Sequence, residues 1–331
     1  MMIAEAVKRL KLGEPLQRQN LTVIPVLDEE PAAPSYMLMS DALKQGLLTI
    51  EEVDASGRVN TIKATNHAEM PVLLPDSAEL VGAKQNRVLN ISILLPANTT
   101  LPIPVTCVEA GRWSYQRDAF RRVSAASRPR THERAVDEDE PAPERRFAPS
   151  SYMLHMEARM HKAKQVQAAR RIRGVPMADQ VAIWDDVRQL AMRTESESPT
   201  EALHDVYQRH LPRLDYYLDG MEPSEKQVGA IFAINGHIVG LELFDSPETF
   251  HKMFPQLLIS YAIEAAFIGG EQASTPIFEE AKQFFEAVAS APAELFEAIG
   301  QGTEVHLNSE MLVGTALMDG QRLIHLYAFR K

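Results

Sequence analysis

The spacing of apolar positions changes several times along the chain, and each change marks a predicted element. Ile3, Ala6, Val7 and Leu10 recur at three- and four-residue steps ahead of Gly13. That spacing predicts a short amphipathic helix, packed on the body or lying on a membrane surface. From 20 to 111 the pattern turns into short β-branched and apolar runs. The run 21–27 reads as a strand, and Pro25 within it predicts an edge or bulged strand, because proline lacks the N–H a ladder needs. A second run is 36–39, followed by a brief turn of helix from Asp41 closed at Gly46. Runs 47–53 and 59–65 flank an Ala-Ser-Gly-Arg turn and predict a hairpin with Gly57 at its tip. Runs 71–74, 88–95 and 103–108 complete at least six strands, separated by Gly, Pro and Asn turns. An antiparallel sandwich or barrel-like sheet follows.

Residues 116–150 are rich in Arg, Ser, Ala, Pro and Glu and nearly free of apolar side chains, which predicts a mobile charged loop. Helical spacing then dominates 151–219. Met153, Met156, Met160, Ala163 and Val166 form one stripe, read as core packing. Asp179 starts a second amphipathic helix, and a third runs from about 200 to 218. Two apolar runs within 227–244 are joined by Asn235-Gly236, a favoured hairpin turn. Helices over roughly 250–265 and 277–290 precede three closing strands, the last two joined at Asp319-Gly320. Gly269-Gly270 reads as a helix stop. The fold class is α+β: an antiparallel β-rich N-terminal part over 1–115, the loop over 116–150, and a helical and α+β C-terminal part over 151–331. The two β-rich parts are free to share one core.

Composition narrows the class. The chain has 331 residues, 45% hydrophobic and 24% charged, with a net charge of −11. An acidic balance argues against a general nucleic-acid binder. One cysteine excludes a disulfide framework and a cysteine-rich zinc site. The charge is unevenly placed: residues 1–111 carry −4, 112–173 carry +7 and 174–331 carry −14. The basic band complements its acidic neighbours within the chain, or it marks an anion site. Charges interrupt every apolar run at the N-terminus, so no signal peptide is read there. No run approaches the ~18 residues needed to span a bilayer. The expectation is a soluble cytoplasmic protein.

Two segments carry candidate chemistry. In 79–90, Gly82-Ala83 ends a strand and Lys84, Gln85, Asn86 and Arg87 follow in a row, with Asn90 on the next strand. Two cations and two amides suit an anionic ligand rich in hydrogen bonds, since Arg holds carboxylate or phosphate bidentately. The alternative is a solvated turn whose amides cap strand ends. In 107–113, Cys107 and Glu109 share a strand face, Gly111 bends the chain, and Arg112 and Trp113 follow. Glu109 is the candidate general base or one half of a structural ion pair, and Trp113 is placed to stack on a ring. Cys107 reads as a buried thiol, because no partner that would activate it is in view. The ten histidines show no metal-ligand spacing, and His306 and His325, in apolar strands, read as core imidazoles. The chain has no Walker A, GxGxxG or GxSxG motif. No metal site is indicated, and the cofactor, if any, stays open.

The segments GAKQNRVLN and CVEAGRW, in that order at close range, are followed by an Ile-Trp-Asp-Asp-Val helix and the hairpin at 227–244. Together they resemble an uncharacterised bacterial family, named for association with ADP-ribosylglycohydrolase and rhodanese-phosphatase proteins. The motif positions are Gly82, Lys84, Gln85, Asn86, Arg87, Asn90, Cys107, Glu109, Gly111, Arg112 and Trp113. The resemblance implies that the two motifs meet at one site, and the association implies a link to ADP-ribose or NAD-related metabolism, or to a conflict or stress system, without a mechanism. The leading expectation is a binder of a nucleotide-like or ADP-ribose-like anion. The rivals are a hydrolase or transferase using Glu109, and a non-catalytic scaffold.

Overall fold

The computed structural model describes residues 2–54, 57–112, 146–268 and 277–331. Its N-terminal elements are α1 (Met2–Val7), β1 (Lys11–Leu12), β2 (Leu16–Arg18), β3 (Leu21–Leu27), β4 (Met37–Leu38), α2 (Met39–Lys44), β5 (Leu48–Glu52) and β6 (Thr61–Asn66). Next come β7 (Val72–Leu74), β8 (Ala78–Gly82), β9 (Arg87–Leu89), β10 (Ile93–Leu95), β11 (Thr100–Cys107) and β12 (Phe147–Met153). Three helices follow: α3 (Met156–Arg173), α4 (Gln180–Arg193) and α5 (Leu203–Leu218). The chain closes with β13 (Gln227–Ile234), β14 (His237–Phe244), α6 (Pro247–Phe267), α7 (Ile277–Ser290), β15 (Ala293–Glu297), β16 (Thr303–Asn308), β17 (Leu312–Asp319) and β18 (Arg322–Arg330). The fold is α+β, as expected. Among the described residues no helix is long and apolar enough to cross a membrane.

A nine-stranded antiparallel sheet runs β1-β3-β13-β14-β18-β17-β16-β15, with β2 also on β3. Its centre is a run of buried strands. In β13, Ala230, Phe232 and Ile234 enter one apolar core, while Ile231 and Ala233 enter another. Helix α6 supplies Phe250, Leu257 and Tyr261 to the first core; α1 and α7 supply Ile3, Val7, Phe284 and Val288 to the second. Because both faces are covered, these strands read as continuous apolar runs rather than as alternation. The turn between β13 and β14 has φ of 51° at Asn235 and 79° at Gly236, the pair of positive angles that a twisted two-residue hairpin requires.

The N-terminal segment feeds two smaller sheets, ordered β12-β8-β9-β11-β6-β5 and β10-β7-β4. Three expectations change here. Strand β3 is not an edge: β13 pairs along one side, and β1 and β2 share the other. The Pro25 carbonyl accepts from Gly13 N at 2.8 Å on the outer side. The missing N–H faces that same side, in the gap where β1 gives way to β2, so no bond to β13 is lost. The run 88–95 is two strands in different sheets, β9 and β10, because Asn90 and Ser92 between them are tied to other elements. Of the predicted loop 116–150, residues 116–145 lie outside the described residues, as do Gly269 and Gly270. Its end is structured: Arg146 bridges Glu51, and Phe147 pairs with Gly82 at the start of β12. Strand β15 had no pattern to announce it, because it is an exposed edge.

Helix α3 joins the sheets through a buried polar face. Lys162 Nζ donates to Asp76 Oδ2 at 2.5 Å and to the carbonyls of Leu89 and Asn90 at 3.0 Å. Arg159 NH1 lies 2.6 Å from Glu242 Oε1 of β14, and its guanidinium faces the rings of Tyr327 and Phe329. Gln167 donates to the carbonyls of Leu307 and Gly314. Met156 and Met160 pack against the large core. In the described part of the basic band, these charges are met by acids of the same chain.

Candidate functional site

Strands β8 and β9 form a hairpin, with Glu79 opposite Val88 and Leu80 opposite Arg87. The turn between them is held from β11 and the segment just after it. Gly82 has φ of +124°, and a Cβ there would lie 2.8 Å from the Arg146 carbonyl, so the turn needs glycine. Gln85 Nε2 donates to the Glu109 carbonyl at 2.8 Å, and Asn86 N donates to Glu109 Oε2 at 3.1 Å. The Asn86 carbonyl accepts from Val108 N at 3.0 Å. Arg112 donates through Nε to the Lys84 carbonyl at 3.1 Å and through NH2 to the Gly82 carbonyl at 2.8 Å. Its Nε also lies 3.1 Å from Glu109 Oε2. Gln85, Asn86, Glu109 and Arg112 therefore meet, and their polar atoms are turned on one another and on the turn's backbone. The Lys84 side chain instead lies over Gly57, near Glu52.

Arg87 points away from this group. Fully buried, it donates to the Val59 carbonyl and Cys107 Sγ, and its NH2 lies 3.4 Å from Glu52 Oε1. Burial pushes the Cys107 thiol up to about 11, against the pull of the Arg87 charge. The backbone of Cys107 is clamped by Gln180 of α4, whose side chain bonds both its N–H and its carbonyl at 2.8 Å. Asn90 stands apart as well, taking Thr106 Oγ1 at 2.6 Å and donating to the Pro176 carbonyl at 3.2 Å. Trp113 lies outside the described residues.

The same end of the molecule holds a histidine–carboxylate pair that no motif announces. Gly111 N donates to the Thr200 carbonyl, and Leu203 N donates to the Val108 carbonyl. This short ladder sets the start of α5 beside Glu109, and His204 is the next residue. His204 Nδ1 lies 3.1 Å from Glu79 Oε2, which also accepts from Ser150 Oγ at 2.6 Å. Glu79 is fully buried, whereas the His204 side chain is 28% exposed. The Glu79 hydrogen bond, opposed by burial and aided by the charges of Glu79, Asp205 and Glu109, raises the imidazole's pKa. Tyr152 meets the ring edge-on at 5.2 Å. Glu79 sits at the head of the first motif, but its partner lies 125 residues away, a separation that no local pattern spans.

The core histidines are bonded as read: His306 to Glu304 and His325 Nδ1 to Ser92 Oγ at 2.6 Å. Among the described residues, cavities of about 740 and 520 Å³ open elsewhere, and none of Lys84, Gln85, Asn86, Glu109 or Arg112 lines either of these.

The model of the ARG and Rhodanese-Phosphatase-superfamily-associated Protein domain, ARPP-1, matches residues 9–329. The chain belongs to this family. The match runs from β1 to β18, so the ARPP-1 domain takes in all three sheets and both faces of the large one. No curated protein and no solved structure matches the chain.

Proposed function

We propose that this ARPP-1 protein binds an anionic small molecule, of nucleotide or ADP-ribose type, at the rim where α5 begins beside the 108–112 segment. The observation that carries the reading is His204. Its Nδ1 is held by a buried carboxylate, its proton affinity is raised, and its ring remains partly open to solvent. A protonated imidazole fixed in this way offers a phosphate or carboxylate a charge-assisted hydrogen bond from an oriented donor. Arg112, half-buried at the same rim, adds a second positive centre. Within this reading Glu109 serves as an acceptor for Asn86 N and Arg112 rather than as a general base. Gln85 and Asn86 support the rim from beneath, whereas Lys84 and Arg87 face Glu52 on the other side of the turn.

Thermal shift and histidine-resolved NMR with ADP-ribose, NAD, nucleotides and pyrophosphate provide the test. At least one of these ligands is expected to stabilise the protein and to raise the His204 pKa further, and His204→Gln should weaken it about tenfold, or 1.4 kcal/mol. No response to any of them, or a response unchanged in His204→Gln, overturns the proposal.

A second reading has its own observation. The Gln85, Asn86, Glu109 and Arg112 bonds all run inward, as in a brace between β8–β9 and the segment after β11. In a purely scaffolding protein, losing Arg112 costs stability and changes no ligand response.

A further inference from the structure

We infer that β15, the open edge of the large sheet, pairs with the β15 of a second copy of this chain, antiparallel, about a two-fold axis at Leu295. Among the described residues β15 pairs only with β16. The bonds from Asn308 N to the Pro292 carbonyl and from Ala298 N to the Gly302 carbonyl fix the phase of that ladder. Glu294 and Phe296 spend their main-chain groups on β16, and Ala293, Leu295 and Glu297 turn theirs outward. The strand is exposed, Leu295 to 57%. Its outward N–H and C=O groups therefore stand open as a template for another strand. Arg170 takes only the Glu297 carbonyl, and a carbonyl oxygen has a second lone pair.

Charge selects the partner and the register. With Leu295 opposite its own copy, Ala293 faces Glu297 and Glu294 faces Phe296, so no like charges stand opposite one another. An axis at Glu294 would set that carboxylate against itself. An axis at Phe296 would bring two guanidinium groups together, because Arg170 lies over the Phe296 ring at 5.6 Å. In the Leu295 register the same Arg170 supplies an attraction. It donates to the carbonyls of Gly174 and Glu297, and among the described residues no carboxylate lies within ion-pair reach of it. The second copy's Glu294, opposite Phe296 in the closer, non-hydrogen-bonded kind of pair, brings a carboxylate to that charge. The ion pair Glu294 already makes, with Arg171, is about half exposed on both sides and leaves it open to sharing. On the other face the two Leu295 side chains meet. A five-residue edge buries little surface, so the dimer belongs to the weak class, with a Kd of about 1–100 µM.

The test is sedimentation velocity of the full chain over about 1–500 µM, which brackets that Kd. A concentration-dependent dimer is expected. Leu295→Lys sets like charges opposite, and Glu294→Lys puts a cation beside Arg170; each should weaken the dimer about tenfold or more. Single cysteines read the register. Leu295→Cys should cross-link with itself, because Cα atoms in a hydrogen-bonded pair lie about 5.5 Å apart, within disulfide reach. Ala293→Cys should cross-link with Glu297→Cys in a mixture, and neither with itself. The native Cys107 is buried and stays out of the reaction. Met311→Cys, exposed and outside β15, is the control. A monomer at every concentration, a dimer unaffected by Leu295→Lys, or cross-linking of Leu295→Cys no faster than that of Met311→Cys overturns the proposal.

Discussion

Replacing Lys162 by methionine tests whether one buried ion pair docks α3 onto the N-terminal sheets. The Lys162 ammonium is fully buried and spends its three protons on Asp76 Oδ2 at 2.5 Å and on two carbonyls at 3.0 Å. Methionine keeps the length and bulk of the side chain but leaves Asp76, itself 0% exposed, without its cation. Ser77 Oγ at 2.5 Å and Tyr327 OH at 3.4 Å remain as its side-chain partners. Breaking one side of a buried pair costs about 3–5 kcal/mol, a large part of the roughly 5–15 kcal/mol that holds a domain folded. Adding Asp76→Asn removes the stranded charge, so the double variant is expected to be about 1–3 kcal/mol more stable than the sum of the singles implies. Urea unfolding followed by circular dichroism measures both, as a shift in midpoint at constant slope. A cost below about 1 kcal/mol for Lys162→Met, or additivity within about 0.5 kcal/mol, refutes the reasoning.

Further outcomes follow from the same contacts. Arg112→Ala removes donors from the Lys84 and Gly82 carbonyls and the partner of Glu109, and should cost about 1–3 kcal/mol in urea unfolding. Arg112→Lys should recover little, because an ammonium does not reproduce the planar two-nitrogen fork. Cys107, buried and with its thiol pushed up to about 11, should resist disulfide reagents in the native protein at pH 8 and react only on unfolding; fast native labelling would contradict this. Burial raises the pKa of Glu264, but His155, Arg193 and the Glu157 N–H outweigh it and set the folded value below the ordinary 4.5. The stability Glu264 contributes is thus complete above pH 4.5 and lost as pH falls through its folded pKa. Melting temperature should drop in that acid range, and less steeply in Glu264→Gln.

The local elements were legible because their signals are local. Asn235-Gly236 forces a hairpin wherever it stands between apolar runs, and Asp179 caps a helix through its own neighbours, accepting from Val181 N and Ala182 N. The two motifs were legible as companions, and Gln85, Asn86, Glu109 and Arg112 do meet. The direction in which their side chains point was not legible: a row of Lys, Gln, Asn and Arg has the same composition whether it faces a ligand or its own backbone. Arg87 and Asn90 turned elsewhere because the strand partners on each side of them, not the motif, decide which way they face.

By itself the sequence determined most element types and the α+β class, since periodicity and turn chemistry act over a few residues; that the two motifs meet was implied by the family resemblance. Tertiary structure alone decided that β3 lies inside the large sheet, that 88–95 divides between two sheets, and that Lys162 and Arg159 are core residues. It also brought His204 to Glu79. The physical reason is common to all of these: burial and charge pairing depend on which surfaces the chain stacks together, and partners distant in sequence leave no mark on either segment alone.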